Sequence, residues 1–295
     1  MFMKIGFIGG SGLYELGDDL RERSSVSVDT PFGPPSDDLV TGSIRGVDVV
    51  FLPRHGEGHT IMPGELNHRA NIFAMKKLGA THIVSLSACG SLRKEMKPRD
   101  VVIVDQYFDR TKRGSEHTFF GNGVVAHIAF ADPVCPELSS LAFDAAGGIA
   151  RRDKMDITVH KGGTYINMEG PAFSTKAESN VYRSWGMDVI GMTNLAEAKL
   201  AREAGICYAT MAFVTDYDCW HDAHDSVTVE MIVGNIQANS KLGRSVAVAI
   251  CEAAKERLPR SCACADALKN AVITAPEKLT GEIKRRLAPI LEGVI

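Results

Sequence analysis

Residues 189–216 read Val189-Ile-Gly-Met-Thr-Asn-Leu-Ala-Glu-Ala-Lys-Leu-Ala-Arg-Glu-Ala-Gly-Ile-Cys-Tyr-Ala-Thr-Met-Ala-Phe-Val-Thr-Asp216. A short apolar run, Val189 to Met192, leads into a helical stretch that opens at Thr193 or Asn194. Glu197 stands where it would complete a capping box, and Gly205 stands where a left-handed residue would close the helix. The run that follows, Ile206 to Val214, is almost continuously apolar, as expected of a strand covered on both faces. Strand, helix and strand in this order place the chain in the α/β class. Working outward, Ile5 to Ile8, Val49 to Leu52, Ile83 to Leu86 and Val101 to Val104 read as further strands. One helix begins near Asn67, carries Ala70, Phe73, Ala74 and Leu78 on one side, and stops at Gly79. Another begins at the capping box Thr175-Lys-Ala-Glu178 and stops at Gly186. The alternation predicts helices on a mostly parallel sheet in a single domain, because no internal repeat or long Pro/Gly/Ser linker divides the chain. Pro259 to Pro276 reads as a break before a final Lys/Arg-rich helix. Residues 1–256 are therefore expected to form the domain and residues 257–295 a C-terminal appendage.

Among 295 residues, 33 Lys and Arg against 36 Asp and Glu leave a formal charge of -3, which lacks the basic excess of a nucleic-acid binder. An anionic ligand must be gripped locally. No run approaches the ~18 apolar residues of a membrane span, and the apolar stretch at the N-terminus is too short for a secretory signal. A cytoplasmic enzyme with no membrane partner is the expectation. Seven cysteines, scattered apart from Cys262-Ala-Cys264, do not look like a disulfide framework.

Three strand exits offer donors to an anion. Gly9-Gly10-Ser11-Gly12-Leu13 opens backbone N–H groups to a ligand and adds the Ser11 hydroxyl. It matches neither the dinucleotide fingerprint nor a P-loop, and a plain tight turn reads as well. Pro53-Arg54-His55-Gly56-Glu57-Gly58-His59 combines a guanidinium fork, able to grip phosphate with two bonds, with an imidazole donor. The same two histidines make a poorer metal site, because the glycines between them break any helix. Ser85-Leu86-Ser87-Ala88-Cys89-Gly90-Ser91 supplies a third cradle, in which a buried structural role suits Cys89 better than a nucleophilic one. Thr193, at a helix start, adds a fourth donor. In open α/β sheets ligands collect at the carboxyl ends of strands, so these segments converge on one phosphate. The acidic segment Val214-Thr-Asp216-Tyr-Asp218-Cys-Trp-His221-Asp-Ala-His224 then places two carboxylates two residues apart at a strand end. They are expected to face one site and do acid/base work, and a metal held with His221 and His224 is an alternative that the chemistry does not need.

These motifs, with Asn67-x-Arg69-Ala70-Asn71-Ile72, Met168-Glu169-Gly170-Pro171 and Gly191-Met192-Thr193, resemble the methylthioadenosine phosphorylases of the trimeric purine nucleoside phosphorylase family, in order from about residue 4 to residue 256. The resemblance implies a single α/β domain around a central mixed, distorted, barrel-like β-sheet flanked by helices. It also implies cleavage of 5′-methylthioadenosine by phosphate to adenine and 5-methylthioribose 1-phosphate, with inorganic phosphate as co-substrate, no cofactor and no metal. Carried over by position, the phosphate site is Ser11, Arg54, His55, Ser87, Ala88 and Thr193. Ser11 and Ser87 stand where animal enzymes have Thr, and Ala172 stands where several relatives have Arg. Met192 would lie under the ribose, Phe173 near the base, and Ser174, Asp216 and Asp218 along the purine edge. Val229, Ile232 and Val233 would receive the methylthio group, with His127 reaching in from a neighbouring subunit of a homotrimer, or of a homohexamer built as a dimer of trimers. Asp216 and Asp218 are the expected catalytic pair, with Asp216 the proton donor to N7. A carboxylate suits a 6-amino group, whereas a 6-oxopurine would call for an amide. A 6-oxopurine nucleoside phosphorylase (inosine, guanosine or methylthioinosine) is the alternative, followed by a hydrolytic nucleosidase. Cys262-Ala-Cys264 resembles the Cys-x-Cys pair of archaeal-type relatives, where it can form a disulfide; reduced thiols are expected in a mesophilic cytosol.

Overall fold

The apolar runs assemble side by side, because each needs both of its faces covered. The computed structural model describes residues 3–221, 229–258 and 262–294, except the side chains of 229–232. In chain order the elements are β1 (Lys4–Gly9), β2 (Arg21–Val26), β3 (Leu39–Ile44), β4 (Val47–Pro53), α1 (His68–Lys77), β5 (His82–Ser91), β6 (Val101–Val104), β7 (Gln106–Arg110), α2 (Pro136–Arg152), β8 (Val159–Lys161) and β9 (Thr164–Met168). There follow α3 (Lys176–Ser184), β10 (Val189–Gly191), α4 (Asn194–Glu203), β11 (Cys207–Asp216), α5 (Val229–Arg257), α6 (Gly281–Arg286) and α7 (Ala288–Leu291).

One 11-stranded sheet runs in the order β2-β3-β4-β1-β5-β10-β9-β7, with a branch in which β11 pairs β5 and β6, and β6 pairs β8. The fork is at β5. Its first half, from His82, lies between β1 and β11, while Gly90 and Ser91 take the antiparallel partner β10. The sheet is therefore strongly distorted but is not a closed barrel. It is mixed, with the central pairings parallel as expected, while β3 joins β2 and β4 antiparallel, and β6 and β10 run against β11 and β5.

Alternation along the central strands builds two cores. Ile5, Phe7, Val49, Phe51, Val84, Leu86, Met211 and Phe213 point to the side covered by α2 and α5, with Leu138, Leu141, Val246 and Ile250. Ile8, Val50, Leu52, Ile83 and Tyr208 point to the other, with Ile72, Phe73 and Met75 of α1 and Ala198 and Leu200 of α4. Period-two alternation with both faces buried is what erased polar residues from these strands.

Helix ends follow the local chemistry. The Asn67 side chain accepts from Ala70 N, and Thr175 and Glu178 form a reciprocal capping box. Gly79, Gly186 and Gly205 take φ of 86°, 86° and 64° after α1, α3 and α4. The box expected at α4 is absent: Thr193 is the N-cap and makes no side-chain cap, the third helical position falls on Ala196, and Glu197 turns into the core toward Arg54. The final helix is two short ones, α6 and α7. Leu268, Leu279, Leu287, Ile290 and Leu291 of the C-terminal segment are buried in the second core, so this segment is packed against the sheet's helices.

Candidate active site

The carboxyl ends of β1, β4, β5, β10 and β11 open into a single cavity of about 410 Å³. Its walls carry Ser11, Arg54, His55, Ser87, Ala88, Thr193, Met192, Phe173, Asp216 and Asp218, together with His59, Thr60, Met168, Thr215 and Ile236. The strand ends are stitched at this level, with Gly10 N donating to Leu86 O and Arg54 N to Gly9 O, each at 2.8 Å. Gly10 is there for space: a Cβ would sit 2.7 Å from both Arg54 Nη1 and Leu86 O.

Arg54 is only 1% exposed, and its fork is engaged within the protein. Nε and Nη2 donate to the Glu197 carboxylate, and Nη2 also to Ser85 Oγ. The two-bond grip on phosphate expected of this guanidinium is thus taken by Glu197, which leaves Nη1, 3.5 Å from Leu86 O, as its freer corner. Glu197 further accepts from Ser85 Oγ and Tyr208 OH, both at 2.8 Å. Burial would raise its carboxyl, but the charge and hydrogen bonds of Arg54 outweigh that and hold it ionised. Glu197 was legible only as a helix-capping residue, since a single sequence carries no sign of an ion pair with a residue 143 positions away.

His55 is neutral. Burial, then the charge of Arg54, lowers it to about 4. Its Nδ1–H donates to Ile61 O at 2.9 Å, so Nε2 is an acceptor rather than the expected donor. His59 stacks on it, ring centroids 4.4 Å apart.

At the other end Asp216 closes β11 opposite Gly90, after an irregularity in the pairing with β5. Asp218 lies beyond the strand, in a left-handed conformation with φ 51° that Asp tolerates. The two carboxyls share the cavity because of this turn, not because of strand alternation as the spacing suggested. The turn brings Asp218 N to 2.7 Å from Asp216 Oδ1. It is pinned by Trp220 Nε1 donating to Ser91 O at 2.7 Å, with the Arg183 guanidinium 3.6 Å over the indole. Burial raises Asp216, against hydrogen bonds from Thr215 and Asp218 N–H. Burial also raises Asp218, and the Asp216 charge adds to it. Thr215 Oγ1 is 2.6 Å from Asp216 Oδ2 and 3.1 Å from Cys89 O, yet a hydroxyl has one hydrogen. Both contacts become hydrogen bonds when Asp216 is protonated, donates from Oδ2 to Thr215, and Thr215 donates to Cys89 O. Geometry and burial thus favour the acid form. The Cys89 thiol is pushed well up by burial and by Asp216, which agrees with a structural role.

Other expected residues lie apart. Ser174 stands near Asp218 but is not in the cavity wall. His127 is exposed and outside the cavity, its backbone N–H donating to Ala271 O. Val233 is also exposed and off the wall, and Ile236 faces the cavity from α5 in its place. The side chains of Val229 and Ile232, and all of His224, lie outside the described residues.

The profile described as Phosphorylase superfamily matches residues 4–252. S-methyl-5′-thioadenosine phosphorylase of Gloeobacter violaceus is 55% identical over 288 residues, covering 98% of this chain and 95% of the relative. That of Geobacter sulfurreducens is 54% identical over 293 residues, covering 99% of each. The chain belongs to the phosphorylase superfamily, in its methylthioadenosine phosphorylase branch. Among solved structures of this superfamily, a methylthioadenosine phosphorylase from an antarctic soil metagenomic library superposes with TM-score 0.89 at 46% identity, covering 98% of this chain and 99% of that one. The methylthioadenosine phosphorylase of Schistosoma mansoni in complex with adenine superposes with TM-score 0.81 at 33% identity, covering 99% of each chain.

Proposed function

We propose that this phosphorylase cleaves 5′-methylthioadenosine with inorganic phosphate, giving adenine and 5-methylthioribose 1-phosphate. The observation that carries the reading is the pair of half-buried carboxyls, Asp216 and Asp218, both raised by desolvation, in the same cavity as the anion donors at the strand ends. Phosphate rests on the hydroxyls of Ser11, Ser87 and Thr193, the Ala88 backbone and Arg54 Nη1, with neutral His55 accepting a proton-bearing phosphate oxygen at Nε2. A phosphate oxygen bonds to C1′ as the bond to N9 breaks. The bonding electrons pass to the purine, and Asp216 neutralises them by giving its proton to N7. Asp218 accepts from the exocyclic 6-amino group, and Ser174 supports it. Met192 underlies the ribose, and Phe173, 74% exposed, closes over the base. A cavity near 410 Å³ is of the size that takes a small-molecule ligand.

The finer arrangement belongs to the same reading. His127 lies away from its own chain's cavity, which fits a homotrimer in which it serves the neighbour's methylthio pocket beside α5. No described helix is long and apolar enough to cross a membrane, in keeping with a cytoplasmic enzyme. Residues 1–256 form the phosphorylase domain, and 257–295 an extension docked on it. Rates on methylthioadenosine, adenosine and inosine at saturating phosphate test the specificity. Methylthioadenosine is expected to lead, with adenosine penalised by roughly 10–200-fold for its 5′-hydroxyl and inosine further still. A preference for inosine would overturn the assignment of Asp218 to a 6-amino group.

A further inference from the structure

Four of the seven cysteines meet at the end of β11 away from Asp216. Cys207 starts β11, where it pairs with His82 of β5. Cys135 is the N-cap of α2, its backbone N–H donating to Tyr208 O at 2.8 Å. Cys262 and Cys264 lie in the first turn of the C-terminal segment. All four Sγ atoms fall within 4.8 Å of one another, and those of Cys135 and Cys262 are 3.8 Å apart. Cys135, Cys207 and Cys264 are buried, Cys262 is half-buried, and all are free thiols.

One buried cysteine is an ordinary small apolar residue. Four sulfurs at mutual contact, drawn from three separate parts of the chain, have the donor set and closed shape of a structural zinc site. A Zn–S bond of about 2.3 Å in tetrahedral geometry sets neighbouring sulfurs about 3.8 Å apart, so no pair need close by more than about 1 Å. Two surrounding features suit bound thiolates. The N-terminal, positive end of α2 is at Cys135. The buried Nε2 of His82, a residue in electrostatic contact with Cys135, has no hydrogen-bond partner among the described residues. Glu137 Oε2, 3.4 Å from Cys135 Sγ and 3.9 Å from Cys262 Sγ, is the group that must turn away.

We propose that Cys135, Cys207, Cys262 and Cys264 bind one thiophilic divalent cation, Zn²⁺, as a closed four-thiolate site that staples the C-terminal segment to the starts of β11 and α2. Four S–H bonds break and four Zn–S bonds form. Four protons leave to solvent and nothing is oxidised or reduced, so the cluster passes from neutral to a charge of −2. With no open coordination position, and the length of β11 between it and Asp216, the metal is structural and plays no part in the chemistry.

The test uses the full-length protein, reduced, freed of metal and titrated with Co²⁺. The expected result is one equivalent bound with a thiolate-to-cobalt charge-transfer band and strong tetrahedral visible bands. Zn²⁺ should bleach both and raise the melting temperature. Cys264→Ser and Cys262→Ser, each checked for native circular dichroism, should weaken zinc binding by at least roughly 10–100-fold. Cys251→Ala, a buried cysteine outside the cluster, should leave the spectrum unchanged. Reduced protein that takes up no cobalt with thiolate bands would overturn the proposal, as would disulfides among these four in native protein that binds no zinc once reduced.

Discussion

The two ends of the active cavity handle buried carboxyls in opposite ways. At the phosphate end Glu197 is fully enclosed yet held ionised, because Arg54 donates to both of its oxygens. At the purine end Asp216 and Asp218 are half-buried with no cation among the described residues to offset their desolvation, and both are raised. The same functional group becomes a fixed negative support in one place and a proton source in the other. A paired carboxylate orients a side chain, and an unpaired buried one holds a proton to give away.

The largest effect is expected from Glu197→Ala. It leaves Arg54 buried and uncompensated, and should cost about 3–5 kcal/mol in denaturant unfolding together with most of the phosphate affinity. Asp216→Asn, at the other end, should lower kcat by roughly 10²–10⁴ while leaving the unfolding midpoint nearly unchanged. If the two variants exchanged these signatures, the contrast between the ends would be wrong. Gly10→Ala drives a Cβ toward Arg54 Nη1, and should cost about 1–3 kcal/mol of stability in denaturant unfolding together with a rise in the KM for phosphate. Thr215→Val removes the hydroxyl that links Asp216 to Cys89 O and should cost about 1–3 kcal/mol in stability, seen in the thermal midpoint.

Titration sharpens the same contrast with smaller effects. Since Asp216 is raised in the fold, its acid form persists to higher pH than a free carboxyl, and kcat/KM should fall as pH rises through that raised value. His55 has the opposite sign. Its pKa is lowered to about 4, so the unfolded chain takes up the proton first as pH drops. Stability is full above the unfolded value of ~6.5 and declines toward pH 4. His68, which burial lowers to about 3, acts the same way, as do His59, His82 and His117, so His68→Gln should make the decline in unfolding midpoint measurably shallower without abolishing it.

The parts of the fold that were legible are those where burial alone dictates sequence. β1, β4, β5, β6, β10 and β11 each carry a buried, largely apolar run, and were visible by it. β2, Arg-Glu-Arg-Ser-Ser-Val, and β7, Gln-Tyr-Phe-Asp-Arg, are largely exposed edge strands held by backbone pairing, so their side chains carry no period to read. The donors at the strand ends were legible because glycine, hydroxyl and basic residues interrupt apolar runs there. What was not legible depends on long-range pairing. The engagement of Arg54 by Glu197, the neutral tautomer of His55 and the left-handed turn at Asp218 each arise from partners that meet only after folding. The same holds for the four cysteines: Cys262 and Cys264 were visible as a pair, but Cys135 and Cys207 join them only through the placement of α2 and β11.

The most direct test of the account follows adenine release from methylthioadenosine with and without phosphate, with the sugar product resolved by phosphorus resonance. Release that depends on phosphate and yields a sugar 1-phosphate, and that collapses in Asp216→Asn, is the predicted result. Equal rates in the absence of phosphate, with free methylthioribose as product, would contradict it.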